Sequence, residues 1–128
     1  MSKGYTGWAL PKADRAALLA RFPPVYKTVV AEHVTHSFGV GSEHPLPTET
    51  AGRVVGIADD GRADGRGVQA LVVEIGGTGR PDGSTFHITW SLGPGWKPKE
   101  SNDVIKARGW TPVEPVAVAL EPRFFPNR

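Results

Sequence analysis

Apolar and polar positions divide the chain into short segments. Residues 5–10 are β-favouring or small and stop at Pro11, which predicts a first strand. Asp14 is a capping residue type, and residues 15–22 are good helix formers with Leu18, Leu19 and Phe22 on one helical face. Pro23-Pro24 ends that helix. Residues 25–32 lead into a strand that begins at His33, and residues 41–50, with Pro45 and Pro47, are expected to form a loop. Residues 52–58 and 68–75 predict two more strands, joined by a glycine- and charge-rich hairpin loop over 59–67. Residues 76–84 form a turn-rich connection to a strand that starts at His87, and residues 94–100 form a loop. Ser101-Asn102-Asp103 can cap one helical turn over 104–107. Residues 113–120 predict a closing strand, and 122–128 a tail. About six strands, one good helix and a second short one make an α+β chain with a mostly antiparallel sheet.

Within this pattern one arrangement of residues occurs twice. His33-Val34-Thr35-His36-Ser37-Phe38-Gly39 and His87-Ile88-Thr89-Trp90-Ser91-Leu92-Gly93 share His, Thr, Ser and Gly at the first, third, fifth and last places. Two of four histidines followed by Thr two places on is roughly a 3% accident at this threonine content. On a strand, residues i and i+2 share a face, so each His emerges beside its Thr while Val34 and Ile88 turn the other way and can bury. If the two strands pair, two imidazoles and two hydroxyls meet at one spot.

Composition narrows what such a spot could serve. A chain of 128 residues is expected to be a single domain over residues 1–128 with a real core. A net charge of +2 gives no field to recruit a long duplex, so a small substrate or a strand end fits better. The absence of cysteine rules out disulfides and thiolate metal sites. No apolar run has the length of a membrane span or a secretion signal, so a cytoplasmic protein without membrane contact is expected.

Two histidines and two hydroxyls on one face suit displacement at phosphorus. A neutral imidazole takes a proton from water while a protonated one gives a proton to the leaving oxygen; both forms are accessible near neutral pH. Threonine hydroxyls can donate to the non-bridging oxygens, held by a stiff χ1. His33 and His36 face opposite sides of a strand, and no carboxylate lies within the motifs, so neither a metal nor another cofactor is expected.

The paired His-x-Thr motifs resemble the signature of the 2H phosphoesterase superfamily. More narrowly, Gly4-Tyr5-Thr6-Gly7-Trp8-Ala9-Leu10, the Leu-rich helix ending in Phe22-Pro23-Pro24, and Lys97-Pro98-Lys99-Glu100-Ser101-Asn102 resemble the cyclic phosphodiesterase domain of fungal and plant tRNA ligases. The likeness runs in matching order over most of the chain, and only the two motifs are diagnostic. It implies a bilobal α+β fold with pseudo-twofold symmetry and metal-independent opening of 2',3'-cyclic phosphates on a nucleotide or RNA end, with His33, Thr35, His87 and Thr89 as the catalytic quartet. The chain is shorter than many members, and His36 stands where the family more often has an apolar residue.

Other residues carry expectations of their own. Ser37 and Ser91 keep the parity of the quartet and extend its hydrogen bonds or simply finish their strands. Tyr5 and Trp96 are candidate platforms for a base; Lys97 and Ser101 are candidate phosphate or ribose contacts. Trp8, His36 and Trp90 are expected in the core, and His44 on the surface. His87 is assigned as base and His33 as acid, with a bell-shaped pH–rate profile. Two alternatives use the same quartet: a nuclease that cleaves cyclic oligonucleotide signals, and a module that grips a nucleotide phosphate without turnover.

Overall fold

In the computed structural model, residues 3–59, 67–77, 79, 85–97 and 100–126 are described. The described elements are β1 (Lys3–Ala9), α1 (Lys12–Arg21), β2 (Thr28–Val29), β3 (His33–Gly41), β4 (Ala51–Asp59), β5 (Val68–Glu74), β6 (His87–Leu92), α2 (Glu100–Arg108), β7 (Thr111–Ala119) and β8 (Glu121–Pro126). The strands form one eight-stranded sheet in the order β7-β4-β5-β6-β3-β1-β8, with β2 beside β6. Every pairing is antiparallel. The fold is α+β, a mostly antiparallel curled sheet with two helices among the described residues. None of the described helices is long and apolar enough to cross a membrane.

The sheet has one helix on each face. Leu18 of α1 and Phe22 at its C-cap join Trp8, Val34, Leu71, Val73, Ile88 and Trp90 in the larger core. On the other face, Ile105 of α2 packs against Ala58, Ala70 and Val72, and Val104 against Val68 and Leu92. A row of side chains on the α1 face crosses the middle of the sheet. Trp8 pairs with Val34, Val34 with Ile88, and Ile88 with Leu71. All four are fully buried. Burying a side chain of this size contributes about 1.5–3 kcal/mol. A slip of one residue would exchange the two faces and drive imidazoles into that core, so the row fixes the register.

Several boundaries differ from the sequence expectation, each for a local reason. The hairpin loop expected over 59–67 and the turn over 76–84 lie largely outside the described residues. Asp14 does not cap α1: Pro11 holds the N-cap, and the Asp14 carboxylate accepts the N–H of Ala119 at 2.8 Å. The second helix is nine residues long, not a single turn. Its start is set by Glu100, whose carboxylate accepts the Lys97 N–H at 3.1 Å while its own N–H reaches the Lys97 carbonyl at 3.0 Å. The expected tail is largely β8, an edge strand on β1 from Gly4↔Pro126 to Ala9↔Glu121. Prolines are tolerated there because every second N–H of an edge strand faces away from its partner. With β7 carrying Pro112 and Pro115, proline marks both edges and discourages further strand addition.

Candidate active site

The Val34↔Ile88 pair builds the site. In an antiparallel ladder the flanking residues oppose each other crosswise, so His33 lies beside Thr89 and Thr35 beside His87. Both triplets are regular on their outer sides. His33, Val34 and Thr35 run in unbroken register against Ala9, Trp8 and Gly7, and His87, Ile88 and Thr89 against Val72, Leu71 and Ala70. Alternation therefore holds across each triplet, and the four polar side chains form a square on the α2 face while Val34 and Ile88 enter the α1 core. In such a square, opposed Cβ atoms lie about 5 Å apart and the two histidines, on a diagonal, about 7–8 Å. That diagonal is comparable with the span of a phosphoryl group and its two in-line oxygens.

The β6 half is buried and braced. His87 is 8% exposed, and its Nδ1 lies 2.8 Å from the Thr85 carbonyl oxygen. A carbonyl only accepts, so Nδ1 carries hydrogen and Nε2 holds the lone pair of the neutral ring. Thr89 Oγ1 lies 2.8 Å from Ser101 Oγ, and Ser101 is fully buried in the first turn of α2. Ser101 thus reaches the quartet from behind, through Thr89.

The β3 half is more open and aromatic. The His33 ring lies 5.1 Å from Tyr5 and 5.1 Å from Phe125, centroid to centroid. Burial there lowers the His33 pKa from its ordinary value, so the ring is neutral at pH 7. Tyr5 stacks on Phe125 at 4.9 Å and on Phe38 at 5.9 Å. Its pKa is raised, first by burial and then by the Glu32 carboxylate, and the phenol keeps its proton. Thr35 faces Gly7, where a Cβ would meet the Val34 carbonyl oxygen at 2.0 Å; only glycine lets β1 approach this closely.

Two of the expected residues lie elsewhere because β-bulges break the period-two count. The β1–β3 register shifts between Thr6 and Gly7, placing His36 as the extra residue and pairing Ser37 with buried Thr6. Ser37 Oγ lies 2.9 Å from His36 Nδ1, and the His36 ring packs on Trp8 and Phe86 of the α1 core. The β5–β6 register shifts between Gln69 and Ala70. Beyond that shift, Ser91 Oγ donates to Gln69 Oε1 at 2.6 Å and accepts the Tyr26 N–H at 3.2 Å, among residues that follow α1. The parity expected for Ser37 and Ser91 does not hold. Trp96 is half-buried against the Val68, Leu92 and Val104 cluster, and Lys97 is exposed at the start of α2. Trp8 and Trp90 are core residues whose indole N–H groups donate to the Glu49 and Phe22 carbonyls. His44, expected on the surface, is half-buried in its loop.

The registers also bring forward residues not singled out from the sequence. Arg123 opposes Gly7, which opposes Thr35, so one row on the site face runs Arg123, Gly7, Thr35, His87. Phe125, Tyr5 and Phe38 form the next row. Both depend on β8, which looked like a tail.

No family model, no curated protein and no solved structure matches this chain. What the site can do is therefore read from its own chemistry: two imidazoles and two hydroxyls on one face of two paired strands, one imidazole held by a backbone carbonyl and the other by aromatic rings. Among the described residues no three His, Asp or Glu side chains cluster as metal ligands would.

Proposed function

We propose that the chain is a cytoplasmic, metal-independent 2',3'-cyclic phosphodiesterase of the 2H type that acts on a nucleotide or an RNA end. The observation that carries this reading is the Val34↔Ile88 register, which gathers His33, Thr35, His87 and Thr89 on one face. In this reading the sheet is two lobes that meet at β3 and β6 in a pseudo-twofold arrangement, each lobe lending one His-x-Thr strand. The helices, packed on opposite faces, fall outside that symmetry.

The reaction follows from the two surroundings. His33, kept neutral by burial, takes the proton from water as its oxygen bonds to phosphorus. His87 acts from its imidazolium form, with both ring nitrogens protonated: it gives the Nε2 proton to the ribose oxygen as the P–O bond breaks, while Nδ1–H stays on the Thr85 carbonyl. These roles reverse the order expected from sequence alone: burial lowers the His33 pKa, while the Thr85 carbonyl on Nδ1 of His87 supports the imidazolium that an acid requires. Thr35 and Thr89 donate to the non-bridging oxygens where charge develops. The Ser101 hydroxyl, 2.8 Å from Thr89 Oγ1, orients the Thr89 hydroxyl for this role.

The test is incubation with each 2',3'-cyclic mononucleotide in EDTA, read by phosphorus NMR. The expected result is conversion of the cyclic diester to a single monoester. Saturable binding of a nucleoside 3'-phosphate with no turnover between pH 5 and 8 would replace the enzyme with a binding module. Turnover of cyclic dinucleotides or trinucleotides alone would replace the substrate.

A further inference from the structure

Phe38 is the most exposed large hydrophobic side chain in the described structure, at 67%. An isolated exposed phenylalanine would need no explanation, but this one continues a stack. Its ring lies 15° from parallel with Tyr5, and Tyr5 lies 14° from parallel with Phe125. The other ends of those two contacts reach His33, 5.1 Å from both Tyr5 and Phe125. The chain holds this outer ring in place at some cost. The register shift at His36 returns Phe38 to the side of Tyr5, and a second one follows directly at Gly39, which adopts φ +73°. On the same face, Arg123 stands across Gly7 from Thr35. Its guanidinium is exposed and, among the described residues, pairs at the surface with Glu121, at 3.3 Å. An aromatic stack exposed at Phe38, a cation and two histidines in adjoining rows match the parts of a nucleotide: a π-face, an anion and a reacting phosphate.

We infer that the Phe38–Tyr5–Phe125 shelf is the nucleobase subsite of this centre, with Phe38 as its solvent-facing contact. The inference rests on the phosphodiesterase reading and adds to it the part of the substrate that the quartet does not touch. Stacking on an aromatic face is tolerant of base identity, so all four bases are accepted, and purines, with the larger face, are bound more tightly. Tyr5 enters as a neutral phenol and takes no charged role.

The experiment compares 2',3'-cyclic AMP with the 2',3'-cyclic phosphate of 1-O-methyl ribose, which has no base, for wild type, Phe38→Ala and Phe38→Trp. Because Phe38 is exposed, Phe38→Ala should fold, and an unchanged melting temperature checks this. The expected result is a rise of about tenfold in KM for the nucleotide in Phe38→Ala, with kcat held. Phe38→Trp restores KM, and the penalty vanishes on the base-free ester. If wild type turns over both esters and Phe38→Ala matches it on the nucleotide, the shelf is overturned while the phosphodiesterase stands. If wild type binds adenosine 3'-phosphate by calorimetry but turns over neither ester, a tenfold weaker affinity in Phe38→Ala supports the shelf and an equal affinity overturns it, and in both cases the enzyme reading falls. If there is neither turnover nor binding, both fall together.

Discussion

The two His-x-Thr strands carry the same three-residue pattern in unlike surroundings. Strand β6 is buried along its whole length, its histidine is held by a backbone carbonyl and its threonine by Ser101. Strand β3 is half-buried and interrupted by bulges; its histidine sits among aromatic rings, and among the described residues no hydrogen bond holds its threonine. A carbonyl acceptor fixes direction and tautomer at His87, whereas at His33, which has aromatic rings around it, burial lowers the pKa. A pair of chemically identical groups can be given different duties in this way, without any change in the groups themselves.

Removing either member of the pair has the largest effect. His33→Ala and His87→Ala should each lower kcat about 10²-fold or more on a 2',3'-cyclic nucleotide, and the double variant should fall little further, because the two act in one step. Near-normal activity in the double variant would break the comparison at its root.

The threonines come next. Thr35→Val and Thr89→Val each remove a donor to a charged oxygen, worth about 1.5–3 kcal/mol, and kcat should drop about 10- to 100-fold. The larger loss should fall on Thr89, whose hydroxyl is already oriented. Equal losses would mean that Ser101 adds nothing.

Ser101→Ala sharpens the same point. Losing one hydrogen bond of about 1 kcal/mol should lower kcat about fivefold with KM unchanged. In the Thr89→Val background the same change should have no further effect on kcat, since Ser101 acts through Thr89. A raised KM would instead place Ser101 against substrate.

The smallest effect concerns stability. Above pH about 6.5 both folded and unfolded chains keep His33 neutral. As pH falls below that value the unfolded chain protonates first, because burial lowers the folded pKa. Stability is therefore complete above pH 6.5 and declines as pH falls toward the folded pKa of His33. Urea denaturation at pH 7 and pH 5 should show this decline in wild type and a shallower one in His33→Asn. An unchanged slope would remove burial as the source of the charge difference.

The central strands and the quartet were legible in the sequence because they obey simple periods. Val34 and Ile88 alternate with their polar neighbours, and α1 stops at a proline pair. The readings that failed did so where a single residue changes the count. One bulge at His36 and one after Thr89 were enough to send Ser37 and Ser91 away from the quartet. Glu100 extended α2 backward from a capping trio that looked sufficient by itself. Strand β8 was hidden because Pro122 and Pro126 argue against a strand unless its place at an edge is known. With β8 went Phe125 and Arg123, so the aromatic row beside His33 needed three strands in place before it could be seen.

Proton NMR of the four histidines during titration with adenosine 3'-phosphate tests most directly whether the two strands share one ligand. The ring resonances of His33 and His87 should shift together, with one midpoint, while those of His36 and His44 stay still. Movement of only one of the pair, or two separate midpoints, would mean that the two imidazoles do not face a common anion.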